Sequence, residues 1–256
     1  MRVRGWVLSD VGRKRDHNED SFLVSDELGL YAVADGMGGH LGGERASRMA
    51  VEILEREIAE ARRKGVLDAP NAAPEPGALT PVGAAMKSAT LTADTSIFEM
   101  ARADAALSGM GTTLTAMLFH GHHLTLTHVG DSRAFLYRSG HARQLTEDHS
   151  WIQEQVRAGM LSAEEAKESR FRNIITRSVG FEPSVEPDII TLAVEPGDAF
   201  MICSDGLSNY VGTEEIGQVL TAQHYSDAPR VFVDIANERG GEDNVTCLVV
   251  YVANEK

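Results

Sequence analysis

Two segments of the chain repeat apolar residues with the 3.6-residue period of an amphipathic helix. The first runs over 46–61 and the second over 82–100, and each predicts one helix face packed on a core. The second helix should begin at Thr80-Pro81, because a threonine caps a first turn and proline fits the first helical position. Between them, residues 68–79 are rich in Ala, Pro and Asn, which predicts an exposed, mobile connector.

After the second helix the apolar period changes to two, which is typical of strands. Alternation over 112–119 and 124–129, followed by Gly130-Asp131 and a run at 133–138, predicts an antiparallel meander. Further strands are predicted at 6–9, 21–24, 30–34, 188–194, 199–203 and 245–252, and short helices at 151–158, 162–167, 214–220 and 228–238. Strands and the helical pair are segregated along the chain. We therefore expect an α+β fold, with antiparallel sheet covered by helices, in one domain over 1–256.

Composition narrows the classes of function. The 256 residues are 43% hydrophobic, and 24 basic against 38 acidic side chains give a formal charge of −14. Nucleic acid is a poor partner for such a chain, because proteins that bind phosphate backbones carry basic faces. No segment has the ~18 apolar residues of a membrane span, and the start of the chain lacks the apolar run of a signal peptide. We expect a cytoplasmic protein that does not enter a membrane.

The two cysteines point to the same compartment. Cys203 and Cys247 lie inside apolar runs far apart in the sequence. This usage is typical of small buried side chains in a reducing environment. A disulfide or zinc framework is not expected.

Acidic residues stand at the ends of several predicted strands, often beside glycine. These positions are Asp20, Asp35, Asp131, Asp205 and Asp243. A single Asp-Gly pair is a common turn, but several carboxylates that converge would repel one another and therefore imply a bound cation. Oxygen ligands favour Mn²⁺ or Mg²⁺ over zinc, and a two-ion site of this kind activates water for attack on phosphorus.

A phosphate substrate also needs a positive group for its non-bridging oxygens. Arg15, five residues before Asp20, is the candidate, because its planar guanidinium suits bidentate contact with phosphate. The neighbouring Arg13 and Lys14 are predicted to be solvated.

Taken in order, these segments resemble the bacterial metal-dependent protein phosphatases of the 2C type. The matching motifs are Ser9-Asp-Val-Gly12 through Arg15, Asn18-Glu-Asp20-Ser, Val33-Ala-Asp35-Gly-Met-Gly-Gly39, Gly42-Gly-Glu44, Gly111-Thr-Thr113, Val129-Gly-Asp131-Ser-Arg133, Leu145-Thr-Glu-Asp-His149-Ser, Ile175-Thr-Arg177, Ser204-Asp205-Gly-Leu207 and Asp243-Asn244-Val-Thr246. They cover nearly the whole chain. The resemblance implies a four-layer α-β-β-α sandwich with two central antiparallel sheets.

The resemblance also implies roles for single residues. Asp35 would bridge two Mn²⁺ or Mg²⁺ ions, with the Gly36 carbonyl as a further ligand. Asp205 and Asp243 would complete the shell of one ion, and Asp20 would hold the other directly or through water. Asp131 would help bind a third, weaker ion, and Arg15 would bind the substrate phosphate. Asn244 is expected to order the loop that presents Asp243, and Arg133 to pair locally.

The chain departs from the animal-type members at Met37, where those members have the histidine proposed as proton donor. His40 lies close by and is a candidate donor, since an imidazole titrates near neutral pH, and water at the ions is the other candidate. His149 is expected to be structural, and Met37 to pack or line the site. Residues 158–177 resemble the variable flap beside the site, which either selects substrates or is a solvated surface helix.

The function implied is hydrolysis of phosphoserine and phosphothreonine in proteins by a metal-activated water, with phosphorylated proteins and a cognate bacterial Ser/Thr kinase as partners. A monomer is expected. One alternative is a non-catalytic relative that binds phosphoproteins and regulates them. Another is a metal-dependent phosphodiesterase, which the acidic composition and the lack of an aromatic and basic stripe disfavour.

Overall fold

The computed structural model describes residues 2–69, 78–162, 165–166, 169, 171 and 174–253, except the side chain of His40. Its strands are β1 (Arg2–Asp10), β2 (Asp20–Ser25), β3 (Leu30–Met37), β4 (Gly111–Thr112), β5 (Leu114–His120), β6 (His123–Val129), β7 (Arg133–Arg138), β8 (His141–Gln144), β9 (Asp188–Ala193), β10 (Ala199–Cys203) and β11 (Val245–Ala253). Its helices are α1 (His40–Arg63), α2 (Pro81–Ala103), α3 (Trp151–Arg157), α4 (Asp205–Ser208), α5 (Thr213–Ala222) and α6 (Ala228–Glu238), with 3-10 turns at Val66–Asp68 and Ala105–Leu107.

The strands form two antiparallel sheets. One has the order β1-β11-β10-β7-β8, and the other has the order β2-β3-β5-β6-β9, with β4 paired to β3. Helices α1 and α2 cover the second sheet, while α5 and α6 cover the first. The predicted α+β sandwich of helices around two central sheets is therefore confirmed.

Apolar side chains fill the space between the sheets as well as the space under the helices. Leu124, Leu126, Phe200, Leu248 and Val250 belong to the layer between the sheets, and all are buried. The Phe119 ring packs edge-on against Tyr31 at 5.7 Å and Phe200 at 5.3 Å between centroids, which joins strands of both sheets. This layer fixes the two sheets against each other and so fixes the carboxylates that each sheet carries at its edge.

Helix α2 begins where the sequence predicts, whereas helix α1 begins earlier than predicted. Thr80 caps α2 as predicted, because its hydroxyl accepts a hydrogen bond from the Gly83 amide at 3.0 Å and Pro81 opens the helix. Helix α1 starts at His40, ahead of the apolar repeat. Its first turn contains Gly42-Gly43, which gives no apolar signal, and a Cβ on Gly43 would meet backbone of Gly36 at 2.9 Å.

The predicted meander over 112–138 is wrong in its third strand. β5 and β6 pair as expected, but β7 crosses to the other sheet and pairs with β10 and β8. The chain crosses at 130–132, where Gly130 has φ of +107° and packs so closely on Thr113 that a Cβ would lie 2.5 Å from its Cγ2. The same alternation of apolar residues serves either sheet, so the pattern alone does not choose between them.

Some elements lack an apolar pattern and were not predicted. β8 is an edge strand of four residues, His141–Gln144, with no large apolar side chain, and α4 is a single turn. Residues 70–77 of the predicted connector lie outside the described residues, as do 163–164 and 167 of the helix predicted at 162–167. None of the helices in the described part of the chain is long and apolar enough to cross a membrane.

Candidate metal centre

The strand ends bring four of the predicted aspartates to one edge of the sandwich. Asp20 begins β2 and lies opposite Asp35 of β3 in the antiparallel register. In the other sheet, Asp205 follows β10 and Asp243 precedes β11, and these two strands pair as neighbours. The two sheets therefore contribute two carboxylates each.

The Asp20 side chain connects the two sheets. Its Oδ2 accepts hydrogen bonds from Thr246 Oγ1 at 2.5 Å and Ser204 Oγ at 2.9 Å, both from the opposite sheet or its end. Its Oδ1 is buried and has no hydrogen-bond partner among the described residues, and the same holds for Asp205 Oδ1. Buried carboxylate oxygens without a partner are costly, and a bound cation is one explanation for them.

Two threonines hold the backbone of Asp35. The Asp35 amide donates to Thr113 Oγ1 at 2.9 Å, and its carbonyl accepts from Thr112 Oγ1 at 2.9 Å and from the Thr113 amide at 2.8 Å. These contacts fix where the Asp35 side chain begins. The motif Gly111-Thr-Thr113 was matched from sequence without a role for either threonine, because the role depends on pairing across the sheet.

Burial and mutual repulsion both disfavour ionisation of these carboxyl groups. Burial raises the pKa of Asp20 to about 7, against the hydrogen bonds from Thr246 and Ser204, and the charges of Asp205 and Asp243 raise it further. For Asp35, burial raises the pKa well above its usual range, followed by the charges of Asp20, Asp205 and other aspartates.

The remaining buried carboxyl groups follow the same pattern. Burial raises the pKa of Asp205 to about 6, with the charge of Asp243 as the next cause. Burial raises the pKa of Asp131 to about 8, followed by the charge of Asp205. Without cations, the centre thus holds more negative charge than its environment stabilises.

The donor set fits hard divalent ions. The centre offers carboxylate oxygens and backbone carbonyls, and these oxygens are the ligands that Mn²⁺ and Mg²⁺ prefer. Among the described residues, no three His, Cys, Asp or Glu side chains already stand around one point as ligands of a single ion. This spacing is compatible with Mg²⁺, which keeps several water ligands and takes few carboxylates.

Gly36, the predicted carbonyl ligand, lies where α1 packs closely against the end of β3. A Cβ at this position would be 2.1 Å from the Gly43 carbonyl oxygen. The Gly36 amide also donates to the Glu19 carbonyl at 3.2 Å. Glycine is therefore required here for close approach of α1 to the end of β3.

Arg15 reaches the centre because its loop folds back on residues 241–244. Its Nη2 donates to Asp243 Oδ2 at 2.8 Å, and its side chain is 51% exposed. The Arg13 amide donates to the Gly241 carbonyl at 2.7 Å, and Gly12, with φ of +83°, packs against the Asp243 carbonyl. A half-exposed guanidinium is thus held beside the carboxylates, where a phosphate would meet it.

Asn244 organises this loop more widely than expected. Its Nδ2 donates to the carbonyls of Val11 at 3.0 Å and His17 at 2.8 Å, while its Oδ1 accepts from the Glu19 amide at 2.8 Å. The sequence assigned Asn244 to the loop that presents Asp243. In the structure it also holds the segment that carries Arg15 to Asp20.

Asp131 lies at the crossing between the sheets and shares a cavity of about 550 Å³ with Asp205. Its neighbour Arg133 pairs with Asp148 through three hydrogen bonds of 2.6 to 3.1 Å, as expected for a locally paired strand residue. His149 is buried, accepts from the Gly130 amide at 3.2 Å through Nδ1 and contacts Asp188 through Nε2. These bonds are those that the expected structural role of His149 requires, and that role stays a prediction.

The candidate proton donor and the flap are described only in part. His40 is the first residue of α1, and its side chain lies outside the described residues. Within the flap at 158–177, residues 163–164, 167–168, 170 and 172–173 lie outside them as well.

Neither cysteine is placed for nucleophilic catalysis. Cys203 and Cys247 are free and buried, and they lie opposite each other in the β10–β11 register. Burial raises the pKa of Cys203 to about 12, and it raises the pKa of Cys247 well above its usual range.

Known proteins resemble this chain over nearly its whole length. The family model for protein phosphatase 2C matches residues 12–245. The serine/threonine phosphatase stp of Listeria innocua is 36% identical over 246 residues, which are 94% of this chain and 93% of that protein. The crystal structure of the Mycobacterium tuberculosis serine/threonine phosphatase PstP/Ppp has a TM-score of 0.83 at 34% identity and covers 99% of this chain and 100% of that chain. A crystal structure of the PstP catalytic domain in complex with two manganese ions has a TM-score of 0.80 at 34% identity, over 99% of each chain. The chain belongs to the protein phosphatase 2C family.

Proposed function

We propose that this protein hydrolyses phosphoserine and phosphothreonine in other proteins with the help of divalent metal ions. The observation that carries the proposal is that both sheets bring aspartates to one edge of the sandwich, with Arg15 beside them. These aspartates are Asp20, Asp35, Asp205 and Asp243. Family membership and the two manganese ions of the PstP structure support it.

The carboxylates divide the metal ligation in the following way. Asp35 would be shared by the two ions, with the Gly36 carbonyl as a further ligand. Asp205 and Asp243 would complete the shell of one ion, and Asp20 would hold the other directly or through water. The unpartnered Oδ1 atoms of Asp20 and Asp205 support these assignments. When bound, Mn²⁺ or Mg²⁺ stabilises charge on the phosphoryl oxygens and lowers the pKa of water.

A third, weaker ion is assigned to Asp131. The raised pKa of Asp131 and its place in the same cavity as Asp205 support this assignment. Whether Mn²⁺ or Mg²⁺ serves in the cell is decided by metal analysis of protein purified from its own source.

Arg15 binds the phosphate of the substrate. Its ion pair with Asp243 keeps the guanidinium at the centre, and its half-exposed side chain leaves donors free for two phosphoryl oxygens. We propose His40, the first residue of α1, as the group that donates a proton to the serine or threonine oxygen as it leaves, with water at the ions as the other candidate donor.

The wider setting follows from the family resemblance. The chain acts as one phosphatase domain over 1–256, with a flap at 158–177, as a monomer that opposes a Ser/Thr kinase. The two buried free cysteines favour the cytoplasm, since they fit a reducing compartment.

The test compares three substrates with the same folded, Mn²⁺-loaded protein. We expect hydrolysis of an aryl phosphate and of a phosphothreonine peptide, and none of a dinucleotide. Loss of all hydrolysis with retained phosphopeptide binding would favour the non-catalytic regulator, whereas preferred cleavage of the dinucleotide would favour the phosphodiesterase.

A further inference from the structure

Met37 and Phe181 both lie close to Gly111, which follows the metal centre along the β3–β4 pair. A Cβ built on Gly111 would lie 3.3 Å from Phe181 Cβ and 3.6 Å from Met37 Cε, so the two side chains approach the same point. Phe181 is 56% exposed, while Met37 is half-buried. We call this apolar surface of Met37, Gly111 and Phe181 the ledge.

The backbone holds the ledge in place. Val179 exchanges two hydrogen bonds with Thr112, of 2.8 and 3.0 Å, directly before Phe181. Asp94 on α2 is buried, and its carboxylate accepts from the amides of Gly180 at 2.7 Å and Val185 at 3.2 Å. An exposed aromatic ring on such a fixed turn is a pre-organised contact, because little conformational entropy is lost when a ligand covers it.

The ledge is continuous with the proposed catalytic centre. Met37 follows Asp35 and Gly36 in β3, and Thr112, which pairs with Gly36, donates to the Asp35 carbonyl at 2.9 Å. Two residues of extended chain span about 6.6 Å. A peptide whose phosphorylated residue reaches Asp35 therefore brings a side chain one or two residues away to the ledge.

The chemistry of the ledge favours an uncharged, apolar side chain. Methionine and phenylalanine offer no hydrogen bonds, and Glu182 follows Phe181 in a chain with a formal charge of −14. Acidic flanking residues are repelled there, and polar ones lose hydration without gaining a partner.

We propose that the ledge binds an apolar side chain of the phosphoprotein substrate, within two residues of the phosphoserine or phosphothreonine. This inference rests on the proposed phosphatase function and adds a preference for substrate sequence. Phe181 acts in it as a specificity residue, without a part in the chemical step.

The test uses pairs of phosphothreonine peptides. The two peptides of a pair differ at one position, which holds leucine in one and the similarly sized asparagine in the other, and there is one pair for each position within two residues of the phosphothreonine. With Mn²⁺, wild-type protein should favour leucine at one of these sites by at least about fivefold in kcat/KM, the order expected for burial of part of a leucine side chain. Phe181→Ser should reduce that ratio to about one, and Phe181→Leu should keep most of it. Phe181→Gln replaces the serine variant if thermal unfolding shows that the latter is unfolded.

Phe22→Ser is the matched control, because Phe22 is 44% exposed and lies in β2 beside a separate surface depression with Arg48 and Glu52. Its leucine-to-asparagine ratio should equal that of the wild type. The inference is overturned if the wild type shows no leucine preference or if Phe181→Ser keeps it. In either case, hydrolysis of the peptides leaves the proposed function standing. If folded, Mn²⁺-loaded wild type hydrolyses neither the peptides nor an aryl phosphate, the proposed function fails and the inference with it.

Discussion

Asp20 and Asp35 face each other directly across the β2–β3 pair at the edge of the sandwich. The charge on Asp20 raises the cost of ionising Asp35, in addition to the larger effect of burial. In the metal-free protein each of these carboxyl groups must therefore either carry an unfavourable charge or take up a proton, and divalent ions remove that cost.

Mn²⁺ should accordingly stabilise the fold through these carboxylates. We expect added Mn²⁺ to raise the Tm of the wild type and to leave that of Asp35→Asn unchanged. In EDTA, Asp35→Asn should be more stable than the wild type by about 1 to 2 kcal/mol, because the neutral amide removes the cost of either charging or protonating this buried carboxyl group. Thermal unfolding with Mn²⁺ and with EDTA measures both effects, and a wild-type shift retained in Asp35→Asn would exclude Asp35 as a ligand.

Arg15 should matter for substrate binding and not for metal binding. We expect Arg15→Ala to raise KM for a phosphopeptide about tenfold or more, the effect of losing charge-assisted hydrogen bonds to phosphate. Its affinity for Mn²⁺ should not fall, because the Asp243 carboxylate is released from its ion pair. Steady-state kinetics with the exposed Lys14→Ala as control provide the comparison, and an unchanged KM would remove Arg15 from the phosphate site.

Asn244 should contribute both to stability and to the site. Asn244→Ala removes three partly buried hydrogen bonds to backbone groups, so we expect the free energy of unfolding to fall by about 2 to 4 kcal/mol. KM for phosphopeptide should rise as well, because the loop that carries Arg15 loses its attachment. Asn244→Asp keeps the oxygen that accepts from the Glu19 amide. Its free energy of unfolding, measured in urea, should therefore lie between those of the wild type and Asn244→Ala. Equal stability of all three proteins would show that these bonds contribute little.

His128 should make the fold sensitive to acid. Burial, followed by the neighbouring His149, lowers the pKa of His128 to about 4, from 6.5 as the ordinary value. As the pH falls, the unfolded chain therefore protonates this side chain at a higher pH than the folded protein does. The contribution of neutral His128 to the free energy of unfolding is fully present above pH 6.5. It falls by up to about 3 kcal/mol as the pH falls toward 4. Urea unfolding between pH 7 and 4.5 should show a flatter pH dependence for His128→Gln, and identical slopes would contradict this origin.

The long helices, most strands and the acidic strand ends could be predicted from the sequence because each depends on a local pattern, whereas the four-layer arrangement was implied by the family resemblance. The apolar run of β3 ends at Asp35 in the sequence as in the structure, and the period of α2 and its Thr80 cap are read from adjacent residues. Contacts between the sheets cannot be predicted from local patterns. That Ser204 and Thr246 both bind Asp20 depends on how two sheets pack, and no spacing along the chain contains that information.

The errors have the same origin. β7 has a normal strand pattern, but its choice of sheet depends on the turn at Gly130 and its contact with Thr113. The ledge also escaped sequence reasoning, since Met37, Gly111 and Phe181 meet only through the short pairing of β4 with β3 and of Val179 with Thr112.

The most direct test of the central claim is the release of inorganic phosphate from a phosphothreonine peptide by wild-type protein and by Asp35→Asn, each with Mn²⁺ and with EDTA. The account predicts release by the wild type with Mn²⁺ only, and a rate at least about a hundredfold lower for a folded Asp35→Asn, the effect expected when a central electrostatic stabiliser is removed. Equal rates with Mn²⁺ and EDTA, or full activity of Asp35→Asn, would contradict it.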